Sequence, residues 1–233
     1  MSGILYGVGL GPGDPDLMTL RAARLIASAD VIAYPVLERG DSFARSIAAD
    51  HIRVGAPEIA ISVPMSVDRA PAQAAYDKGA ADIAAALDAG QNVVCLCEGD
   101  PFFYGSFMYL FARLSTRYKV EVVPGVTSVT ACAARAGRPL VARNERLTVL
   151  PGPLPEDELR ARIAAAESVV IMKVGRHLAK LRMIIADLGL TAQATYVERA
   201  TLPDEKVLPL ADAPAEAPYF SMILITKGAD PWL

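Results

Sequence analysis

Three times before Gly137 the chain runs an apolar strand pattern into a glycine turn and then into a helix pattern. Residues 4–10 lead into Gly11-Pro12-Gly13, residues 92–97 into Glu98-Gly99-Asp100-Pro101, and residues 120–123 into Pro124-Gly125. Strand, turn and helix in repeating order predict a parallel sheet with crossover helices on its faces, because parallel neighbours cannot be joined by a tight hairpin. The unbroken apolar run Val93-Val94-Cys95-Leu96-Cys97 fits a strand covered on both sides.

Other elements follow from periodicity. Helices are predicted over 15–28, with Asp14 as the cap before Pro15, and over 43–49, 72–89, 107–116 and 127–135. In 72–89 the residues Tyr76, Ala80, Ile83 and Leu87 form one stripe, and Gly90 ends the helix. Residues 31–34 read as a strand stopped by Pro35, and 59–63 as another. After Pro139 the pattern changes. Strands are predicted over 147–150, 168–172, 195–197 and 220–226, and helices over 156–166 and 176–188. Strands then come in succession, as in a mixed sheet. The chain of 233 residues is therefore expected to be α/β with two α/β domains, 1–143 with a mostly parallel sheet and 144–233 with a mixed one.

Composition narrows the partners. The net charge of −3 is the wrong sign for a nucleic-acid binder, so none is expected. No apolar run reaches the ~18 residues of a membrane span, and the N-terminus lacks the basic region and cleavage site of a signal peptide. A cytoplasmic protein is the expectation. Three cysteines and two histidines make neither a disulfide framework nor a zinc site, and no metal is expected.

The motif GVGLGPGDP (7–15) resembles a dinucleotide loop but has the wrong spacing. The third glycine of the template falls on Pro12 or Asp14. A nicotinamide dehydrogenase is disfavoured for that reason. CEGDPFFYGS (97–106) sits beyond a strand, where open sheets bind ligands. Asp100 there either accepts bonds from a ligand or caps its own turn. In PGVTSVTACAARAG (124–137) Thr127 or Ser128 reads as a helix cap. VIMKVGRH (170–177), YVERATLPDEKV (196–207) and YFSMILIT (219–226) present strand ends. Arg135, Arg138, Arg143 and Arg146 are either a patch for a carboxylate-rich substrate or a solvated face.

In order and spacing, GVGLGPGDP, EGDPFFYG and PGVTS together resemble the tetrapyrrole methylase family along essentially the whole chain. LCEGDPFFYGSFMYLF, MKVGRHL and YVERATLPDEKV are most similar to its precorrin-2 C-20 methyltransferases. The resemblance implies S-adenosylmethionine in a cleft between two α/β domains, cobalamin biosynthesis, and a homodimer. It implies cofactor contacts from Pro12, Gly99, Asp100, Phe103, Thr127 and Ser128, with Met172 or Val174, and Ala200, from the second domain. Arg143 and Arg138 are candidates to anchor the substrate's carboxylate arms. The catalytic base stays unassigned among Glu98, Asp100, Tyr104 and Glu198. Uroporphyrinogen III methyltransferases carry an aspartate where this chain has Pro35, which counts against that substrate. Cobalt-factor II, and a non-catalytic tetrapyrrole-binding role, remain as alternatives.

Overall fold

Strand 93–97, the most apolar stretch of the sequence, lies third of five in a wholly parallel sheet and is buried along its length. The computed structural model describes residues 2–37, 41–64 and 69–228. It divides into two units, Met1–Thr127 and Ser128–Leu233.

The first unit contains β1 (Ile4–Gly9), α1 (Leu20–Ala27), β2 (Val31–Leu37), α2 (Phe43–Ile47), β3 (Glu58–Val63), α3 (Arg69–Asp88), β4 (Val93–Cys97), α4 (Phe107–Leu114) and β5 (Lys119–Val123). The strand order is β3-β2-β4-β1-β5. Each face has its own apolar layer. On one, Ile83 and Leu87 of α3 and Phe107 and Leu110 of α4 meet Leu5, Val93 and Cys95. On the other, Ala22 and Ile26 of α1 and Ala44 and Ile47 of α2 meet Val8, Ile32, Val94 and Leu96. Each fully buried leucine or isoleucine in these layers contributes about 1.5–3 kcal/mol.

Two local expectations need correction. The helix expected over 15–28 is two elements. The Asp14 carboxylate accepts from the Asp16 N–H, two residues on, and so closes only a short turn at Pro15–Leu17. The α-helix proper starts at Leu20, capped by Thr19, whose hydroxyl accepts from the Ala22 N–H at 3.1 Å. Pro35 does not stop β2 either; the strand continues to Leu37 beside β3. Pairing with β4 ends at Ala33, and the Pro35 carbonyl accepts from the Ser42 hydroxyl at 2.7 Å. The missing N–H therefore faces a side where no ladder bond is required.

The second unit contains α5 (Ser128–Arg135), β6 (Leu147–Pro151), α6 (Glu156–Ala165), β7 (Ser168–Met172), α7 (Leu178–Asp187), β8 (Ala194–Glu198), β9 (Lys206–Pro209) and β10 (Ser221–Thr226). Its order is β6-β7-β10-β8-β9, with only the β6–β7 pair parallel. Helices α6 and α7 pack Leu159, Ile163, Leu181 and Ile184 onto Val169, Ile171, Tyr196 and Ile223. The alternate residues Val170, Val197 and Leu224 are buried on the opposite face, where Arg138 donates to the Thr195 hydroxyl at 2.7 Å. The sequence pattern changes near residues 140–146, whereas the two units part at Thr127: α5 and the segment after it bond to the second sheet. Strand β9 was not expected. It is a four-residue edge strand, and only its pairing with β8 marks it.

A polar clamp holds the edge of the first sheet. Arg45 of α2 donates from Nε and Nη2 to the two oxygens of Glu58 at 2.7 and 2.8 Å, and the Tyr34 hydroxyl donates to the same carboxylate. The Arg45 bonds hold the Glu58 carboxyl down at about 2, against an ordinary value of 4.5. The folded state thus releases this proton more readily than the unfolded state. The clamp's contribution is complete above pH 4.5 and is lost as pH falls toward 2. Thermal melts across this interval should show a shallower loss of stability for Glu58→Gln than for the parent; identical slopes would remove the clamp from the acid limb.

Candidate functional site

The direction of the crossovers reverses between β1 and β4. These strands are neighbours, with Gly9 opposite Cys97. The chain leaves β1 for α1 on one face and β4 for α4 on the other. This is the arrangement at which open α/β sheets form their ligand crevice, at the carboxyl ends of the strands.

Backbone bonds floor this crevice. The Gly99 N–H donates to the Gly11 carbonyl at 2.7 Å, the Gly11 N–H donates back to the Gly99 carbonyl at 3.3 Å, and the Leu10 N–H donates to the Cys97 carbonyl at 2.9 Å. The loop after β5 closes over the same point. A Cβ on Gly125 would lie 2.1 Å from the Gly99 carbonyl oxygen, and one on Gly9 would lie 2.6 Å from the Gly125 nitrogen. These glycines are needed because backbone touches backbone. Gly99 differs: it has φ +63°, and a Cβ there would meet nothing nearer than the Val126 carbonyl at 4.0 Å. Its N–H and carbonyl are bonded to Gly11, and only the side of its Cα where a Cβ would stand faces open space.

Asp100 joins the second and third motifs. One carboxylate oxygen accepts from the Phe102 N–H at 2.9 Å and the other from the Gly125 N–H at 3.0 Å. The carboxylate therefore does cap its own turn, and it also fastens the β4 and β5 loops together. A second lone pair on each oxygen is left for a ligand. Pro12 and Phe103 are half-buried in the flanking loops, and the Phe103 ring meets Tyr104 edge-on at 5.2 Å. Thr127 is half-buried, and Ser128 opens α5.

The four candidate bases differ sharply. Glu198 is buried and already bonded, accepting from the Tyr196 hydroxyl at 2.8 Å and from Lys206 at 3.1 Å. Burial, with Glu198 adding to it, pushes the Tyr196 hydroxyl well up. Asp100 is committed to backbone. Tyr104 is exposed, in a left-handed conformation at φ 56°. Glu98 lies at the end of β4 with its side chain open to solvent. Desolvation by the surrounding protein nevertheless raises its carboxyl pKa, against the Ala44 N–H, which lowers it.

In the second unit β10 is antiparallel to β7 and β8, so the ends of β7 and β8 lie beside the start of β10. Turns 173–175 and 199–201 meet residues 218–221 there. The Arg199 N–H donates to the Phe220 carbonyl at 2.8 Å, and the Gly175 N–H to the Ser221 hydroxyl at 3.3 Å. Lys173, Arg199 and Thr201 all have positive φ, of 56°, 49° and 71°. Each such residue costs about 1–3 kcal/mol, and such strain gathers at ligand sites; a β-branched threonine there is a true outlier. Met172 ends β7 half-buried, and Ala200 is 9% exposed. Val174 is fully buried in the apolar core of this unit, so only its backbone can face a ligand.

Residues 4–214 match the family model of tetrapyrrole (corrin/porphyrin) methylases. The chain belongs to the tetrapyrrole methylase family. Among curated relatives, this methylase is 44% identical to the cobalamin biosynthesis protein CobIJ of Mycobacterium tuberculosis, over 97% of this chain and 46% of that protein; it spans about half the length of that relative. It is 41% identical to a precorrin-2 C(20)-methyltransferase of Sinorhizobium sp, over 99% of each chain. It is 36% identical to a cobalt-precorrin-2 C(20)-methyltransferase of Salmonella typhimurium, over 97% of this chain and 98% of that one. Among solved structures, the cobalt precorrin-4 methyltransferase CbiF aligns with TM-score 0.74 at 26% identity, over 96% of this chain and 94% of that one. A uroporphyrin-III C-methyl transferase from Thermus thermophilus, complexed with S-adenosyl homocysteine, aligns at 0.68 and 26%, over 97% and 92%.

The arginines of the methylase that cluster in sequence disperse in space. Arg135 pairs with Glu205, Arg146 with Glu167, and Arg138 with Thr195. Arg143 is exposed at φ 47°. No helix among the described residues is long and apolar enough to cross a membrane. Among those residues no cluster of three or more histidine, cysteine or acidic side chains is placed to hold a metal ion. Sequence reasoning missed the mutual packing of Gly9, Gly99 and Gly125, although the glycines themselves were visible. It also missed Glu205, whose partners lie four and seventy residues away.

Replacing Gly125 by alanine should force the β5 loop off Gly99 and destabilise the methylase by about 1–3 kcal/mol, as overpacking against backbone does. Urea denaturation measures this; an unchanged midpoint would mean that the junction yields freely.

Proposed function

We propose that the chain is an S-adenosylmethionine-dependent C-methyltransferase that methylates precorrin-2 at C-20, in cobalamin biosynthesis. The observation that carries this reading is the end-to-end similarity to relatives that bear C(20)-methyltransferase names. The carboxyl ends of β1 and β4, where the Cα of Gly99 faces open space, are where such sheets hold a ligand, and they support the reading. The S-adenosyl homocysteine in the Thermus thermophilus relative supports the same donor.

When bound, S-adenosylmethionine supplies a methyl group made electrophilic by its sulfonium. Pro12, Gly99, Asp100, Phe103, Thr127 and Ser128 would hold it from the first three motifs, with Met172, the Val174 backbone and Ala200 from the second unit. What the chain contributes is chiefly orientation: fixing donor and acceptor in line removes a barrier of about 7–11 kcal/mol. Glu98 receives the proton lost from the attacked carbon. Desolvation raises its carboxyl pKa, which makes it a stronger base than an ordinary glutamate. Arg143, exposed to solvent, anchors a carboxylate arm of the substrate, with Arg138 a lesser candidate. The reading includes a cytoplasmic homodimer. The buried thiols of Cys95, Cys97 and Cys132 suit a reducing compartment, and exposed Met108 and Tyr109 on α4 suit a subunit contact.

A second reading, a cobalt-containing substrate, is favoured by the name of the Salmonella typhimurium relative. Incubation with each pigment in the presence of S-adenosylmethionine separates the two. A singly methylated product from metal-free precorrin-2 supports the first reading; turnover of the cobalt form alone overturns it. Asp100→Ala should bind S-adenosylhomocysteine at least about tenfold more weakly in calorimetric titration, since two backbone N–H groups lose their acceptor at roughly 1.4 kcal/mol per decade. Equal affinity would show that the loops keep their places without it.

A further inference from the structure

Arg199–Thr201, the turn after β8, is held in place by a residue that the motif analysis left without a role. The Leu202 N–H donates to the Arg199 carbonyl at 3.0 Å and the Glu205 N–H to the Leu202 carbonyl at 3.1 Å. These two bonds fold residues 199–205 back on themselves. Arg199 and Asp204 pair across the fold. The Glu205 side chain then returns to the Thr201 N–H, accepting from it at 2.6 Å. Both Glu205 oxygens also accept from Arg135 Nε of α5, each at 2.8 Å. The carboxylate keeps only 13% of its side-chain surface.

Thr201 sits at φ 71°, a conformation that a β-branched residue leaves unless something holds it. The Glu205 carboxylate is fixed in that position by α5, the helix that opens with Ser128. A single carboxylate thereby ties the turn carrying Ala200 to the last residue of α5, the helix whose first residue is Ser128. We propose that Glu205 is a positioning residue: through the Thr201 N–H, and braced by Arg135, it holds turn 199–201 in the left-handed geometry that presents its backbone to S-adenosylmethionine. The assignment rests on the methyl-donor reading above. Glu205 itself touches neither donor nor acceptor. Its loss should therefore act on cofactor affinity and leave the KM for the tetrapyrrole in place.

The test is calorimetric titration with S-adenosylhomocysteine of the full chain and of Glu205→Ala, Glu205→Gln and the double variant Glu205→Ala/Thr201→Gly. Thermal melts and steady-state KM values for both substrates accompany it. Glu205→Ala is expected to bind roughly tenfold more weakly, the size of one relaxed backbone strain, with the KM for S-adenosylmethionine raised alone. Glu205→Gln, which keeps an acceptor for the Thr201 N–H, should fall between it and the parent. Glycine at 201 enters the left-handed region without strain, so the double variant should recover much of the lost affinity. A folded Glu205→Ala with parental affinity overturns the assignment, as does a double variant no better than the single. Should Glu205→Ala fail to fold, Arg135→Ala, which removes the brace, takes its place, and parental affinity in that variant overturns the assignment. If the unaltered chain does not bind S-adenosylhomocysteine, the methyl-donor reading fails first and this assignment falls with it.

Discussion

Backbone contact without side chains governs the first unit. Gly9, Gly99 and Gly125 come from strands separated by most of that unit's length, yet their main-chain atoms meet at distances that no Cβ would permit. Two hydrogen bonds between Gly11 and Gly99 and the bridge from Asp100 to Gly125 hold the contact closed. Close approach here sets the depth of the crevice above β1 and β4, because the loops begin to diverge only beyond it. The apolar layers on either face of the sheet then fix which way each loop turns.

The second unit builds a comparable set of strand ends by other means. Apart from Gly175, its turns after β7 and β8 are strained with ordinary residues, Lys173, Arg199 and Thr201, at positive φ. Such conformations persist only where neighbours over-determine them. The neighbours are polar: Glu198 between Tyr196 and Lys206, Glu205 between Thr201 and Arg135, and Ser221 between Gly175 and Pro218. Glycine gives the first unit its shape through what is absent, whereas buried carboxylates give the second its shape through bonds.

Much of this architecture was legible because its causes are local. The apolar run of β4, the stripe Tyr76, Ala80, Ile83 and Leu87 on α3, and the glycine turns after three strands each carry their signal within a few residues. The joint resemblance of those turns to one family pointed to a methylase. Expectations failed where the deciding partner is distant or where two caps compete. Asp14 and Thr19 both resemble helix starts, and only the choice of N–H accepted by each tells them apart. Pro35 reads as a strand stop until the end of β4 pairing is known. The arginines from 135 to 146 form a patch in sequence, but Arg135, Arg138 and Arg146 bond to partners that sequence spacing conceals. A ligand role for a half-buried loop residue such as Pro12 or Phe103 leaves no mark in periodicity or spacing, and only the resemblance to a family points to it.

Strand β1 pairs with β4 on one side and β5 on the other, Leu5 opposite Val93 and Ile4 opposite Lys119. During synthesis β1 therefore emerges well before either of its neighbours. At 5–20 residues per second the ribosome needs about 5–20 seconds to deliver them. Through that interval an apolar segment waits with both edges open, while β2 and β3, adjacent in sequence and in the sheet, are free to pair early. Non-local pairing of this kind slows folding and leaves sticky edges exposed. Insertion of β1 between β4 and β5 is the step that completes the sheet, and it brings Gly9 against Gly99 and Gly125. The glycine junction of the first unit forms only at that moment, so a nascent chain sets the loops above β1 and β4 no earlier than its sheet is whole.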